Sequence, residues 1–395
     1  MNNLRKITSF ALAALMVVMS VVGLSSCGKA DAWPVDPETG LTELYIGGIG
    51  PLTGDYANYG VSVKQGAELA AKQINAAGGV NGFKLVVKYE DSQGAGDSAV
   101  SAYGKQMDEG MKISLGCVLS GETSAVVAAA KADGILLLTP SASSVAAIDG
   151  NDAAFRVCFS DPYQGVAAAQ YVNQYNLGKK VAVFYASDND YSVGLYENFK
   201  AESEKYGIEI VETQTFDDSI KTDFNTQIQA IKDSGAELVF VPIYAAEAAL
   251  FLTQAKGKLD IPVFGCDGFD GLLTKISDVS DANGVLMLTP FTADSPEKLV
   301  QDFVAAYKAA YNGAIPDQFA ADGFDAVYAI AEALKKADVK PGNTDDLNAR
   351  MVAAIKEITV VGTTGEMSWQ DDGNVDKAAK LMTFVDGKVV AYEAK

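Results

Sequence analysis

Residues Gly116–Ser144 read GCVLSGETSAVVAAAKADGILLLTPSASS. The run opens as the end of an apolar strand, turns through Ser120-Gly121-Glu122-Thr123, and continues as a short helix rich in alanine and valine. A buried strand, Ile135–Thr139, then ends in a second polar turn, Pro140-Ser141-Ala142-Ser143-Ser144. Both polar turns therefore follow strand C-termini. In an open parallel α/β sheet that edge is where ligands bind, because loops converge there and helix N-termini present free N–H donors. A carboxylate suits such a place, and the serine and threonine hydroxyls add donors without an activating base.

Working outward, the pattern repeats on both sides. Upstream, the strand Leu44–Ile49, a helix over 60–77 with an apolar stripe at Val63, Ala67, Ala70, Ala71 and Ile74, the strand Lys84–Glu90 and a helix over 97–109 lead into the opening stretch. The glycines of Gly78-Gly79-Val80-Asn81-Gly82 end the first of these helices. This succession of strand and helix predicts a doubly wound parallel sheet. Downstream the pattern starts again. Strands are predicted at Phe155–Phe159, Lys180–Tyr185, Ile208–Thr213, Leu238–Pro242 and Val263–Gly265, with helices between them, which makes a second Rossmann-like lobe. The stretches Val285–Thr289, Pro296–Tyr311 and Phe319–Lys336 read as helical, and the segments from Glu366 to Tyr392 as terminal hairpins.

Composition limits the chemistry. The 395 residues have no histidine and a net charge of −20. Without histidine there is no Ser-His-Asp or Cys-His catalysis, no histidine zinc site and no histidine pH switch. The acidity argues against nucleic acid and anionic lipid as partners. Cys27, Cys117, Cys158 and Cys266 form no CxxC pair, and Cys117 and Cys158, in or beside strands, read as buried free thiols in preference to a disulfide between them. Asp188-Asn189-Asp190 opens like a calcium loop but lacks its glycine and distal glutamate, so neither metal nor cofactor is expected.

The N-terminus, MNNLRKITSFALAALMVVMSVVGLSSC, has a short basic region, an apolar run and small residues before Cys27, the marks of a secretory signal. Leu24-Ser25-Ser26-Cys27 resembles the lipobox of bacterial lipoproteins, with cleavage before Cys27 and lipidation of its thiol. The expected organisation is a signal over 1–26 and a flexible tether over 27–41. Attachment to the membrane is expected through that lipid alone, outside the cytoplasm.

The stretches IGGIGPLTGDYANYGVSVKQGAELAAKQINAAGGVNGFKLVVKYEDSQ, LTPSASS, FRVCFSDPYQG and FYASDNDYSVG, in that order and spacing, resemble the Leu/Ile/Val-type periplasmic binding proteins of type 1 fold. These are the substrate-capturing components of ABC transporters and not enzymes. The resemblance covers essentially the whole mature chain. It implies two Rossmann-like lobes, 42–160 plus 291–360 and 161–290 plus 361–395, joined by three crossovers with a ligand cleft between them. It also implies ABC permease subunits as partners.

Carried over residue by residue, the resemblance makes Ser120 the hydroxyl donor to a ligand α-carboxylate, with Thr123 at the next helix start. Ala142 contributes a backbone carbonyl and Ser143 a hydroxyl. Tyr191 closes over the amino-acid backbone from lobe two, and Asp267 receives the α-ammonium. Tyr59 contacts the ligand side chain, and Tyr163 and Tyr244 stand at strand ends facing the cleft. On spacing alone, Ser120 and Ser143 are equally helix N-caps, Tyr191 and Tyr244 ordinary half-buried tyrosines, and Asp267 a turn aspartate. Glu122, in the first turn of its helix, either faces solvent, as the helix dipole favours, or narrows the pocket.

A zwitterion leaves water only if both ends are paired, since each unpaired charge costs several kcal/mol. The expected ligand is an amino acid, branched-chain or otherwise apolar. The rival in the same class is another small carboxylate or amide: an aromatic acid, a urea-like amide or a short peptide. The fold also serves sensory ectodomains that pass ligand state to a signalling partner.

Overall fold

The computed structural model describes residues 33–394. The signal, its lipobox and Cys27 lie outside the described residues. Residues 33–43 form a small unit of their own. Val35 bridges Thr42 in antiparallel fashion, over a turn in which Asp36 accepts the Thr39 hydroxyl at 2.6 Å. The rest of the described chain forms a second unit.

Lobe one is built on β1 (Thr42–Gly50), β2 (Phe83–Asp91), β3 (Ile113–Cys117), β4 (Leu137–Thr139) and β5 (Ala154–Arg156), interleaved with α1 (Ala57–Ala76), α2 (Gly96–Asp108) and α3 (Ser120–Ala132). The spatial order is β2-β1-β3-β4-β5, with parallel pairing from β1 through β5 across β3 and β4. Strand order reverses between β1 and β3. The loops leaving those two strands carry Tyr59 and Ser120 to the switch point, where a crevice forms outside the carboxyl edge.

The same arrangement recurs in lobe two. Helix α4 (Asp161–Gln174) leads to β6 (Lys180–Ala186), α5 (Asp190–Ser203), β7 (Glu209–Phe216), α6 (Asn225–Asp233), β8 (Leu238–Phe240), α7 (Ala245–Ala255), β9 (Val263–Phe264) and β10 (Leu286–Thr289). Its parallel order is β7-β6-β8-β9-β10, so the switch point lies between β6 and β8. Tyr191 follows β6, Tyr244 follows β8 and Asp267 follows β9.

Val285–Thr289 corrects the helical expectation. These residues enter β10, which is buried along its length between β9 and an antiparallel neighbour. A five-residue apolar run carries no period, and burial on both faces suits a central strand. The chain then returns to lobe one as α8 (Lys298–Ala310), α9 (Gln318–Lys336), α10 (Leu347–Ile355) and the hairpin of β11 (Thr359–Gly362) and β12 (Gly365–Ser368). It finishes in lobe two as β13 (Lys380–Val385) and β14 (Lys388–Ala391). Helix α10 was not foreseen.

Helices α1 and α9 meet backbone to backbone. A Cβ on Gly66 would stand 1.8 Å from the Ala320 carbonyl oxygen, and one on Gly323 would stand 2.3 Å from that of Val63. The two glycines thus allow a contact no other residue permits. It brings Tyr59 at the start of α1 and Phe319 at the start of α9 to 4.7 Å between ring centroids. The third passage between lobes is held by Lys377, whose buried ammonium lies 3.5 Å from Asp322 of α9 and contacts the Thr364 hydroxyl. Cys117, Cys158 and Cys266 are buried free thiols.

Candidate functional site

The two polar turns of lobe one are tied together. The Ser120 hydroxyl accepts the Ser144 amide at 3.2 Å, and the Ser141 hydroxyl donates to the Val118 carbonyl at 2.8 Å. Arg156, which sequence reading passed over, anchors the second turn from beneath. Its buried guanidinium donates to the carbonyls of Ala142 at 3.0 Å and Ser144 at 2.8 Å. The signal for it was a lone arginine in the apolar run Ala154–Phe159.

From lobe two, the Tyr191 hydroxyl donates to Asp267 Oδ1 at 2.7 Å and accepts the Gly268 amide at 2.8 Å. The Asp267 amide donates to Gln164 Oε1 at 3.1 Å. Burial pushes the Asp267 carboxyl up to about 6, against the opposing pull of its Tyr191 and Gln164 hydrogen bonds. Such a carboxylate, mostly ionised at neutral pH and short of positive partners, is matched to a cation. The Tyr191 and Tyr244 rings stack at 4.8 Å with 4° between planes. Tyr59 crosses from lobe one, donating to the Gly268 carbonyl at 2.6 Å and accepting the Ala245 amide at 2.7 Å.

Ser120, Ser143, Tyr59, Tyr191, Tyr244 and Asp267 thus line one central cavity, together with Ser141, Gly268 and an apolar wall of Val118, Leu119 and Phe319. Its volume is about 10 Å³, room for roughly one water. Thr123, Ala142 and Tyr163 are not in that lining. Thr123 is buried with its hydroxyl donating to the carbonyls of Cys117 at 3.1 Å and Leu119 at 2.9 Å, and the Ala142 carbonyl is taken by Arg156. Tyr163 is 37% exposed. Phe319 and Gly268 were missed by sequence reading, because neither residue type marks a site.

Glu122 turns inward. Its carboxylate accepts the Ser92 hydroxyl and, at 3.3 Å, the Leu119 amide at the head of α3. Burial lifts its pKa to about 7. It lines a second space of about 260 Å³ that adjoins the central cavity along Leu119, Tyr191 and Tyr244. Among the described residues no group of acids and cysteines has the arrangement of a metal site, and no helix is long and apolar enough to cross a membrane.

The profile of the family described as periplasmic binding protein matches residues 43–388. A Leu/Ile/Val-binding protein homolog 3 from Brucella melitensis is 30% identical over 99% of this chain and 100% of its own length. A leucine-, isoleucine-, valine-, threonine- and alanine-binding protein from Pseudomonas aeruginosa is 28% identical over 92% of this chain and 93% of that protein. Among solved structures, a branched-chain amino acid transporter substrate-binding protein from Streptococcus pneumoniae, in complex with isoleucine, superposes with a TM-score of 0.80. It is 31% identical, covering 89% of this chain and 98% of that one.

Proposed function

The chain belongs to the periplasmic binding protein family, whose members bind solutes and are not enzymes, and on that premise we propose that it captures an amino acid for an ABC permease. The observation that carries this reading is the buried pair of Asp267 and Tyr191, facing the Ser120 and Ser143 hydroxyls across one cavity. One end of that cavity offers an anion for an ammonium, and the other offers hydroxyls for a carboxylate. The wall of Tyr59, Val118, Leu119 and Phe319 favours an aliphatic side chain, and the names of the relatives point to the branched-chain class. Thr123 supports the Ser120 turn, Ala142 the Ser143 turn, and Tyr163 the outer rim of the cleft.

The mechanism is a population shift. A cavity of about 10 Å³ admits an amino acid only when the lobes part and the tyrosines yield. Ligand contacts to both lobes then favour the closed form, which the permease recognises. The lobes are taken as 42–160 plus 291–376 and 161–290 plus 377–395, because Thr363 and Thr364 bond Asp325 of α9 and Trp369 bonds the Arg156 carbonyl, all in lobe one. The chain is taken as secreted, and Cys27 as its lipid anchor to the membrane.

Isothermal titration calorimetry tests the reading, with leucine, isoleucine and valine set against their des-amino acids. Binding confined to the amino acids supports it. Binding of the des-amino acids alone would retain the fold and remove Asp267 from the ammonium.

A further inference from the structure

The space of about 260 Å³ beside the central cavity is lined by a carboxylate from each lobe, Glu122 of α3 and Glu247 of α7. Both residues are buried, at 1% and 6% exposure. Glu122 is satisfied within lobe one by the Ser92 hydroxyl and the Leu119 amide. Glu247 is not. Its Oε1 accepts the Tyr56 hydroxyl at 2.7 Å, while its Oε2 has no hydrogen-bond partner among the described residues. A carboxylate oxygen kept from water and left unpaired is costly, and a donor that reaches it recovers that cost.

The one cation in the lining among the described residues, Lys221, acts on Glu247 through space but gives its Oε2 no hydrogen bond. Lys221 is 3.2 Å from Asp218, and the other ionisable lining residues, Asp188 and Asp190, are acids. Burial raises the carboxyls of both Glu122 and Glu247 above their ordinary range, with Lys221 pulling Glu247 the other way, as an added cation would. The two spaces share Leu119, Tyr191 and Tyr244 as walls, and a chain of side-chain contacts links their acids. Tyr191 holds Asp267 and stacks on Tyr244, Tyr244 lies 5.2 Å from Tyr56 between ring centroids, and Tyr56 holds Glu247.

We infer that this outer space is a side-chain subsite for a cation, so that the ligand range extends to amino acids with an aliphatic stem and a terminal ammonium or guanidinium. The α-groups sit at Ser120 and Asp267, the stem passes Leu119 and Tyr244, and the cation reaches Glu247. This rests on the amino-acid reading above.

Calorimetry on the purified protein with two near-isosteric pairs tests it: L-lysine against L-norleucine, and L-arginine against L-citrulline. The cationic member of each pair is expected to bind at least tenfold more tightly. Glu247→Gln, which keeps an acceptor for Tyr56, is expected to bring the members of each pair within about threefold. Equal binding within both pairs by the unsubstituted protein, with leucine still bound, would overturn the subsite and leave the amino-acid reading standing. Failure of every amino acid, leucine included, would remove both.

Discussion

The Tyr191 hydroxyl and Asp267 Oδ1 are joined by a 2.7 Å hydrogen bond between two side chains that are both buried. Tyr191 thus keeps Asp267 aimed and partly paired until a ligand ammonium arrives. Tyr191→Phe keeps the stack on Tyr244 and removes the hydroxyl, taking one donor from the Asp267 carboxylate and one acceptor from the Gly268 amide. A hydrogen bond to a charged group contributes about 1.5 to 3 kcal/mol. Urea unfolding of the ligand-free protein is therefore expected to show a loss of about 1.5 to 3 kcal/mol.

Stability should depend on pH in an unusual sense. Burial lifts Asp267 to about 6, Glu122 to about 7 and Asp322 to about 8, whereas unfolded carboxyls titrate near 4. Each of these groups binds its proton more tightly folded than unfolded. Their contribution therefore grows as pH falls from about 8 and is complete near 4. Carboxyls held low by hydrogen bonds, Asp217 and Asp223 among them, act in the opposite sense, but only below the ordinary carboxylate range. The ligand-free protein is expected to melt several degrees higher at pH 5.5 than at pH 8, in a scan of Tm against pH. A lower Tm at pH 5.5 would contradict the burial of these acids.

Arg156 supports the site without lining it. Arg156→Met would leave the Ala142 and Ser144 carbonyls without their buried donors, at about 1 to 3 kcal/mol each. Arg156→Lys keeps charge but not the planar fork that reaches both carbonyls. Urea unfolding should show a loss of about 3 kcal/mol or more for the methionine variant and less for the lysine variant. Both should weaken ligand binding by loosening the turn that carries Ser143.

The α1–α9 contact makes a paired prediction. Gly323→Ala would press a methyl group into the Val63 carbonyl, where only backbone can yield, and should cost about 1 to 3 kcal/mol. The same change at Gly104, in α2 with open space around it, should stabilise by about 0.5 to 1 kcal/mol. Thermal unfolding of the two variants reads the difference.

Much of this was legible before the structure because period and punctuation survive in sequence. The apolar stripe of α1, the glycines after it and the two polar turns around Ser120 and Ser143 mark strand ends and helix starts directly. Val285–Thr289 was misread because five apolar residues carry no period. At the site, position was legible but direction was not. Thr123 stands beside Ser120, yet its rotamer turns the hydroxyl to the backbone, and Tyr163 follows a strand end but stays near solvent. The inward turn of Glu122 and the burial of Glu247 depend on packing between segments far apart in sequence, which no local pattern records.

The most direct test of the account is calorimetry on Asp267→Asn with the best amino-acid ligand. Removing one member of a buried charge pair costs about 2 to 5 kcal/mol, so affinity should fall at least thirtyfold while the unliganded fold persists by circular dichroism. Unchanged affinity in a folded Asp267→Asn protein would mean that the ammonium is held elsewhere, and would contradict the central claim.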